Sequence, residues 1–160
     1  MADWFLKVKK DFITCFLEKD RWHYILQGLG NTLKIALVAV LLGVVIGTVV
    51  AIIRSTYDKN AATMRPGIAR FLLGLGNAIC RIYLTVIRGT PAMIQILIMF
   101  FVIFSNARDG VPVAMLTFGI NSGAYVAEII RGGIMAVDAG QMEAGRSLGF
   151  NFVQTMWYIV

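Results

Sequence analysis

Histidine occurs once, cysteine twice and proline three times in 160 residues, and charged side chains make up only 15% of the chain. Each shortage excludes something. With the single histidine, His23, there can be no HExxH metal helix, and no GxxxxGK[ST] loop is present to hold a nucleotide. Cys15 and Cys80 form neither a disulfide framework nor a metal-ligand spacing, and read as small buried hydrophobes. Soluble domains are roughly 25% charged, so the shortage of charge excludes an ordinary soluble composition. No clustered constellation for a resident enzyme remains.

What is present is long uncharged sequence. A helix needs about 20 mostly apolar residues to cross a bilayer core of ~30 Å. Lys34 and Arg54 bracket IALVAVLLGVVIGTVVAII, in which Thr48 is the one polar side chain. Arg88 and Arg108 bracket GTPAMIQILIMFFVIFSNA, and Asp109 and Glu128 bracket the smaller, more polar GVPVAMLTFGINSGAYVA. Spans are therefore expected near 35–53, 89–107 and 111–130, the last facing protein more than lipid. Thr90 and Pro91 suit the start of the second, as cap and first helical residue. The uncharged stretch from Phe71 to Cys80 is too short to cross and is expected along the interface.

The first thirty residues read as an amphipathic, interfacial segment. Phe5, Val8, Phe12 and Phe16 recur at helical spacing, Lys7, Lys9, Lys10, Lys19 and Arg21 supply a charged face, and Trp4, Trp22 and Tyr24 suit the headgroup level. Asp3, Asp11, Glu18 and Asp20 interrupt the basic start, so no cleavable signal is expected there. The net charge of +6 sits at the flanks of apolar runs and forms no single patch with interleaved aromatics, which favours a membrane over nucleic acid.

Small and polar residues inside the spans mark contacts between helices. Gly43 with Gly47, and Gly119 with Gly123, have GxxxG spacing, which puts both members on one face and lets another helix approach. Ser122, Ala124 and Ala127 extend the small surface of the third span. Gln95 and Asn121 need partners in hydrocarbon, which either interhelical hydrogen bonds or a wet pathway would supply. Glu128 and Arg131, three apart, read as a helix-end ion pair. Orientation stays open, because six basic residues precede the first span and six lie between the first and second.

Three segments in order, TVIRGTPAMIQILIMFF (Thr85 to Phe101), GINSGAYVAEIIRGGI (Gly119 to Ile134) and GQMEAGRSLGF (Gly140 to Phe150), closely resemble the permease subunit of polar amino-acid ATP-binding cassette importers. The family's cytoplasmic signature is Glu-Ala-Ala, three residues, Gly, nine residues, then Ile, one residue, Leu-Pro. Glu143, Ala144, Gly149 and Ile159 match it. Gly145 replaces the second alanine, a small-for-small change that lowers helix propensity by about 1 kcal/mol. The Leu-Pro pair would follow Val160, so a lost C-terminal part with two further spans is expected. The resemblance covers most of Leu29 to Val160.

The resemblance implies an all-α integral membrane protein: about three spans of a five-helix permease domain over 31–160, behind the N-terminal segment 1–30. It further implies a cytoplasmic coupling helix in the loop 138–152 that seats in an ATPase subunit, and hence an N-terminus outside the plasma membrane. In that loop Gly140, Ala144, Gly145, Ser147 and Gly149 would permit close docking, Glu143 and Arg146 would make polar contacts at the rim, and Met142, Leu148 and Phe150 would supply apolar surface. Arg88, Gly89, Thr90, Pro91, Tyr125, Glu128 and Arg131 belong to the family-like segments; Gln95, Asn121 and Ser122 are candidates for pathway polarity, and Gly119 and Gly123 for helix packing. The implied partners are ATP-binding subunits, a second permease subunit (the same or different), an extracytoplasmic amino-acid-binding protein and the lipid bilayer; ATP would be held by the partners, with no cofactor on this chain. Two other readings stay open: a permease of this architecture for another small solute, and a membrane scaffold or regulatory subunit that transports nothing.

Overall fold

The computed structural model describes residues 2–14, 21–61 and 64–159; for Ala2, Asp3, Asn60, Ala139, Phe152 and Met156 it describes the backbone alone. Among the described residues every regular element is a helix. In chain order these are α1 (Ala2–Phe12), α2 (Trp22–Asn60), α3 (Ile68–Gly89), α4 (Ala92–Ile98), which runs into a π-helical turn (Met99–Ile103), α5 (Gly110–Ala136), α6 (Ala139–Ser147) and α7 (Phe152–Tyr158). Three of them, α2, α3 and α5, are long and apolar enough to cross a membrane.

The expected spans are corrected in two places. No continuous helix covers 89–107, because the chain breaks at Gly89–Pro91 and leaves α4 and its π turn only 12 residues long, or about 18 Å. Proline disfavours helical backbone at the residue before it, and Thr90 is accordingly extended at φ −118°, ψ 142°. The long helix lies upstream instead. α3 continues for 22 residues straight through Arg81, so Phe71 to Cys80 is part of a span-length helix and not a separate interfacial piece. Counting each arginine as the end of a run divided this helix; its backbone is uninterrupted.

The boundary at residue 30 also disappears. α2 starts at Trp22 and runs 39 residues, about 58 Å, through Gly28 and Gly30, so it overshoots a ~30 Å core at its ends. Within the segment expected to be amphipathic lies α1, where Trp4, Phe5, Leu6 and Val8 are exposed beside Lys7, Lys9 and Lys10. Cys15, Phe16, Glu18, Lys19 and Asp20 lie outside the described residues.

α5 is the central helix. Val113, Ala114, Thr117, Gly119, Gly123, Ala124 and Ala127 are its buried residues, and the core joins Ala124 and Ala127 to Val50 of α2 and to Cys80 and Leu84 of α3. Cys80 is thus a buried hydrophobe, as expected. The two glycine pairs face each other. A Cβ on Gly43 would stand 2.6 Å from Ser122 Oγ, one on Gly47 2.6 Å from Val126 Cγ1, one on Gly119 2.9 Å from Leu42 Cβ and one on Gly123 3.0 Å from Ile46 Cγ2. Contacts advance in the same direction on both helices, so α2 and α5 run parallel. Two parallel crossing helices require an odd number of crossings between them. α3 supplies one, and α4 with its π turn is too short to add another.

Candidate functional site

The family-like segments meet at two places on α5. At the first, the break after α3 is closed by Gln95. Its Nε2 lies within hydrogen-bond distance of the Ile87 carbonyl (2.8 Å), the Thr90 carbonyl (3.0 Å) and the Thr90 hydroxyl (2.8 Å), so the side chain satisfies carbonyls that the end of a helix leaves orphaned. Asn121 of α5 then donates from Nδ2 to Gln95 Oε1 at 3.1 Å. Each amide is therefore the other's partner across two helices. Thr90 departs from expectation: its hydroxyl donates backward to the Val86 carbonyl at 2.8 Å, and Pro91 takes the capping position of α4. Ser122 sits in the seam against Gly43.

At the second place, about two turns further along α5, Glu128 collects three guanidiniums. Arg54 of α2 reaches its Oε1 at 3.1 Å, Arg88 of α3 the same oxygen at 3.5 Å, and Arg131 its Oε2 at 3.3 Å. Arg131 also pairs with Asp58 of α2 at 3.1 Å, and Lys59 donates to the Ile134 carbonyl at 3.3 Å. The expected Glu128–Arg131 pair exists, but as one edge of a cluster that ties three helices. The Arg88 guanidinium lies 5.9 Å from the centre of the Tyr125 ring, so both family-like segments contribute to one contact. A polar groove of about 490 Å³ opens beside it, lined by Arg54, Arg81, Leu84, Thr85, Arg88, Gly89, Tyr125 and Glu128.

Sequence reading treated Arg54 and Arg81 only as flanking charges. The available signal was spacing: Arg81 and Arg88 are seven apart, two turns on one face of α3.

Beyond α5 the chain forms a helical corner. Asp138 caps α6, its Oδ1 accepting from the Gly140 amide at 2.6 Å. α6 ends in a Schellman motif: Gly149 has φ +84°, its amide donates to the Arg146 carbonyl at 3.0 Å, and the Phe150 amide donates to the Gly145 carbonyl at 3.0 Å. Gly149 is therefore required by backbone conformation. Asn151 and Gln154 form a capping box that starts α7. Gly145 is buried against Thr155, while Gly140, Glu143, Ala144, Arg146, Ser147, Leu148 and Phe150 are exposed and Met142 is half-buried. Among the described residues neither Glu143 nor Arg146 forms an ion pair, so both charges point to solvent unspent.

Residues 67–160 match the family model described as the binding-protein-dependent transport system inner membrane component. The chain belongs to that family. It is 35% identical to the arginine transport system permease protein ArtQ of Bacillus subtilis, over 83% of this chain and 55% of that protein. It is 37% identical to the glutamine transport system permease protein GlnP of Escherichia coli strain K12, over 59% of this chain and 45% of that one. A solved structure described as an amino acid ABC transporter with histidines superposes with a TM-score of 0.61 at 35% identity, covering 81% of this chain and 54% of that one. The chain spans about half the length of the curated relatives it matches. Its described residues form an all-helical member of this inner-membrane-component family.

Proposed function

We propose that this chain is the membrane-spanning permease subunit of an ATP-driven importer of polar amino acids, with its N-terminus outside and α6 in the cytoplasm. The observation that carries the reading is α6 itself. Glu143 and Ala144 of the family signature stand on a short helix just beyond α5 that Gly149 terminates, held at both ends by caps and presenting Glu143 and Arg146 outward. A helix so fixed transmits displacement instead of fraying, which is what a contact driven by a separate motor needs.

In this reading ATP is bound and hydrolysed by separate subunits that receive α6. An external binding protein delivers the amino acid, and a second permease subunit completes the pathway. Nucleotide binding favours one facing of the pathway and substrate delivery the other, a two-state rigid-body alternation. The core joining α2, α3 and α5 is the body that moves, and the Gln95–Asn121 bond ties α4 to it. Polar amino acids are proposed as cargo because two relatives named above are permease proteins of an arginine and a glutamine transport system.

The test is affinity purification of the tagged chain from membranes that also contain the nucleotide-binding subunits. Wild type is expected to retain an ATP-binding subunit, and Glu143→Arg is expected to lose it at unchanged helical content. Absence of any such subunit with wild type overturns the importer reading in favour of a scaffold.

A further inference from the structure

Arg54, Arg81, Arg88 and Glu128 line the groove, and Arg131 and Asp58 continue the ion-pair cluster from Glu128. The four arginines are not equally engaged. Arg54 and Arg131 are held at 3.1 Å and are half-buried. Arg88 makes only a 3.5 Å contact, to an oxygen already taken by Arg54, and 44% of its side chain is exposed. Arg81 has no hydrogen bond or ion pair among the described residues. Arg54 Nε is buried without an acceptor.

A guanidinium without a partner, as at Arg81, is costly on a helix of span length and composition, and such residues ordinarily pair or line a wet path. Arg81 and Arg88 project from one face of α3, and Leu84 and Thr85 line the groove between them. A planar oxyanion placed there would meet two fork-shaped donors in the geometry that arginine offers carboxylates. The groove volume, about 490 Å³, falls within the ~300–1,000 Å³ of small-molecule sites.

We infer that the Arg81–Arg88 groove is a carboxylate-binding site, and that its occupant is the α-carboxylate of an amino acid; the choice of occupant rests on the importer reading. Arg54 and Arg131 hold Glu128 as the resting counter-ion, while Arg88, loosely bound to the same carboxylate, is free to exchange it for the ligand's. The Tyr125 ring steadies the Arg88 guanidinium during the exchange.

Calorimetric titration of the 160-residue chain in phosphatidylcholine nanodiscs tests this, with L-arginine and L-glutamine each compared with its α-carboxamide. At least one amino acid is expected to bind, and its carboxamide, which keeps the side chain and the amine, to bind at least about tenfold more weakly, as befits loss of a charge-assisted pair. Arg81→Gln should weaken the amino acid by a similar factor at unchanged helical circular dichroism, and Arg81→Lys should fall between. Equal binding of acid and amide, unchanged binding by Arg81→Gln, or no binding of either amino acid overturns the inference. So does Arg81-dependent retention of phosphatidylglycerol that neither amino acid displaces, which would make the groove a lipid-phosphate site. Capture of an ATP-binding subunit does not involve Arg81. Capture without carboxylate binding therefore sinks this inference alone, and binding without capture sinks the importer reading alone.

Discussion

Gly145 and Thr155 compete for one position at the corner between α6 and α7: a Cβ on Gly145 would stand 2.5 Å from Thr155 Cγ2, 2.8 Å from its Oγ1 and 3.0 Å from Ile159 Cδ1. Thr155 is fully buried, and its hydroxyl donates to the Asn151 carbonyl at 3.0 Å. The β-branch leaves it little freedom to turn away. Gly145→Ala gains up to about 1 kcal/mol of helix propensity but forces overpacking worth about 1–3 kcal/mol. Net loosening of the corner is expected, read as faster amide hydrogen exchange across 139–159. Thr155→Ala added to Gly145→Ala should restore protection; if the single variant exchanges no faster than wild type, the packing account fails. The glycine that departs from the family's alanine is thus matched to a threonine ten residues on.

The parallel seam between α2 and α5 makes a sharper comparison, because glycines of one helix differ in what surrounds them. A Cβ on Gly47 would meet Val126 at 2.6 Å and the Ala127 backbone nitrogen at 2.9 Å, whereas nothing lies within 4 Å of one on Gly30. A backbone atom cannot swing aside, so Gly47→Ala must push the helices apart at a cost of about 1–3 kcal/mol. Gly30→Ala should stabilise by up to about 1 kcal/mol. Thermal or denaturant unfolding of both variants in detergent should show shifts of opposite sign, and equal shifts would remove the seam from the account.

These glycines were legible in the sequence because GxxxG spacing is local: Gly43 and Gly47 lie on one face whatever the fold. The corner at α6 was legible through its signature residues, though the reason for Gly149 appears only in its positive φ. What escaped reading depends on partners distant in sequence. Glu128 is paired with Arg54, 74 residues away, so an arginine that ended an apolar run by counting belongs inside the structure. Arg81 divided α3 because a charge was counted as the end of an apolar run, whereas the helix continues through it. Thr90 was read forward, as the cap of the next helix, because composition cannot tell that Gln95 would bend back and occupy the same turn.

Gln95 supports a testable order of substitutions. Its amide donates toward the Ile87 and Thr90 carbonyls and accepts from Asn121, so it needs both ends of a carboxamide. Gln95→Leu removes donor and acceptor and leaves Asn121 unpaired, at about 1–3 kcal/mol for each group left buried. Gln95→Glu is isosteric yet, when ionised, offers only acceptors to two carbonyls. Unfolding in detergent at neutral pH is expected to rank wild type above Gln95→Leu, and Gln95→Leu above Gln95→Glu. The last gap should narrow on acidification, since a protonated carboxyl regains one donor. Equal stability of wild type and Gln95→Glu at neutral pH would show that the amide donors are dispensable.

The Glu128 cluster separates a structural pair from a loose one. Removing the carboxylate leaves the half-buried Arg54 without its acceptor beside Arg88, and leaves Arg131 with Asp58 alone. Glu128→Gln should therefore cost about 2 kcal/mol or more, toward the ~3–5 kcal/mol typical when one partner of a buried pair is lost. Arg88→Gln breaks the 3.5 Å contact of a half-exposed side chain and its 5.9 Å approach to the Tyr125 ring, and leaves Arg54 and Arg131 on Glu128. Its cost should stay below about 1 kcal/mol, as for a solvent-screened pair. Unfolding midpoints of the two variants in the same detergent decide the matter. A loss with Arg88→Gln as large as with Glu128→Gln would mean that Arg88 is a strut of the three-helix contact, and a guanidinium so committed could not exchange partners with a ligand.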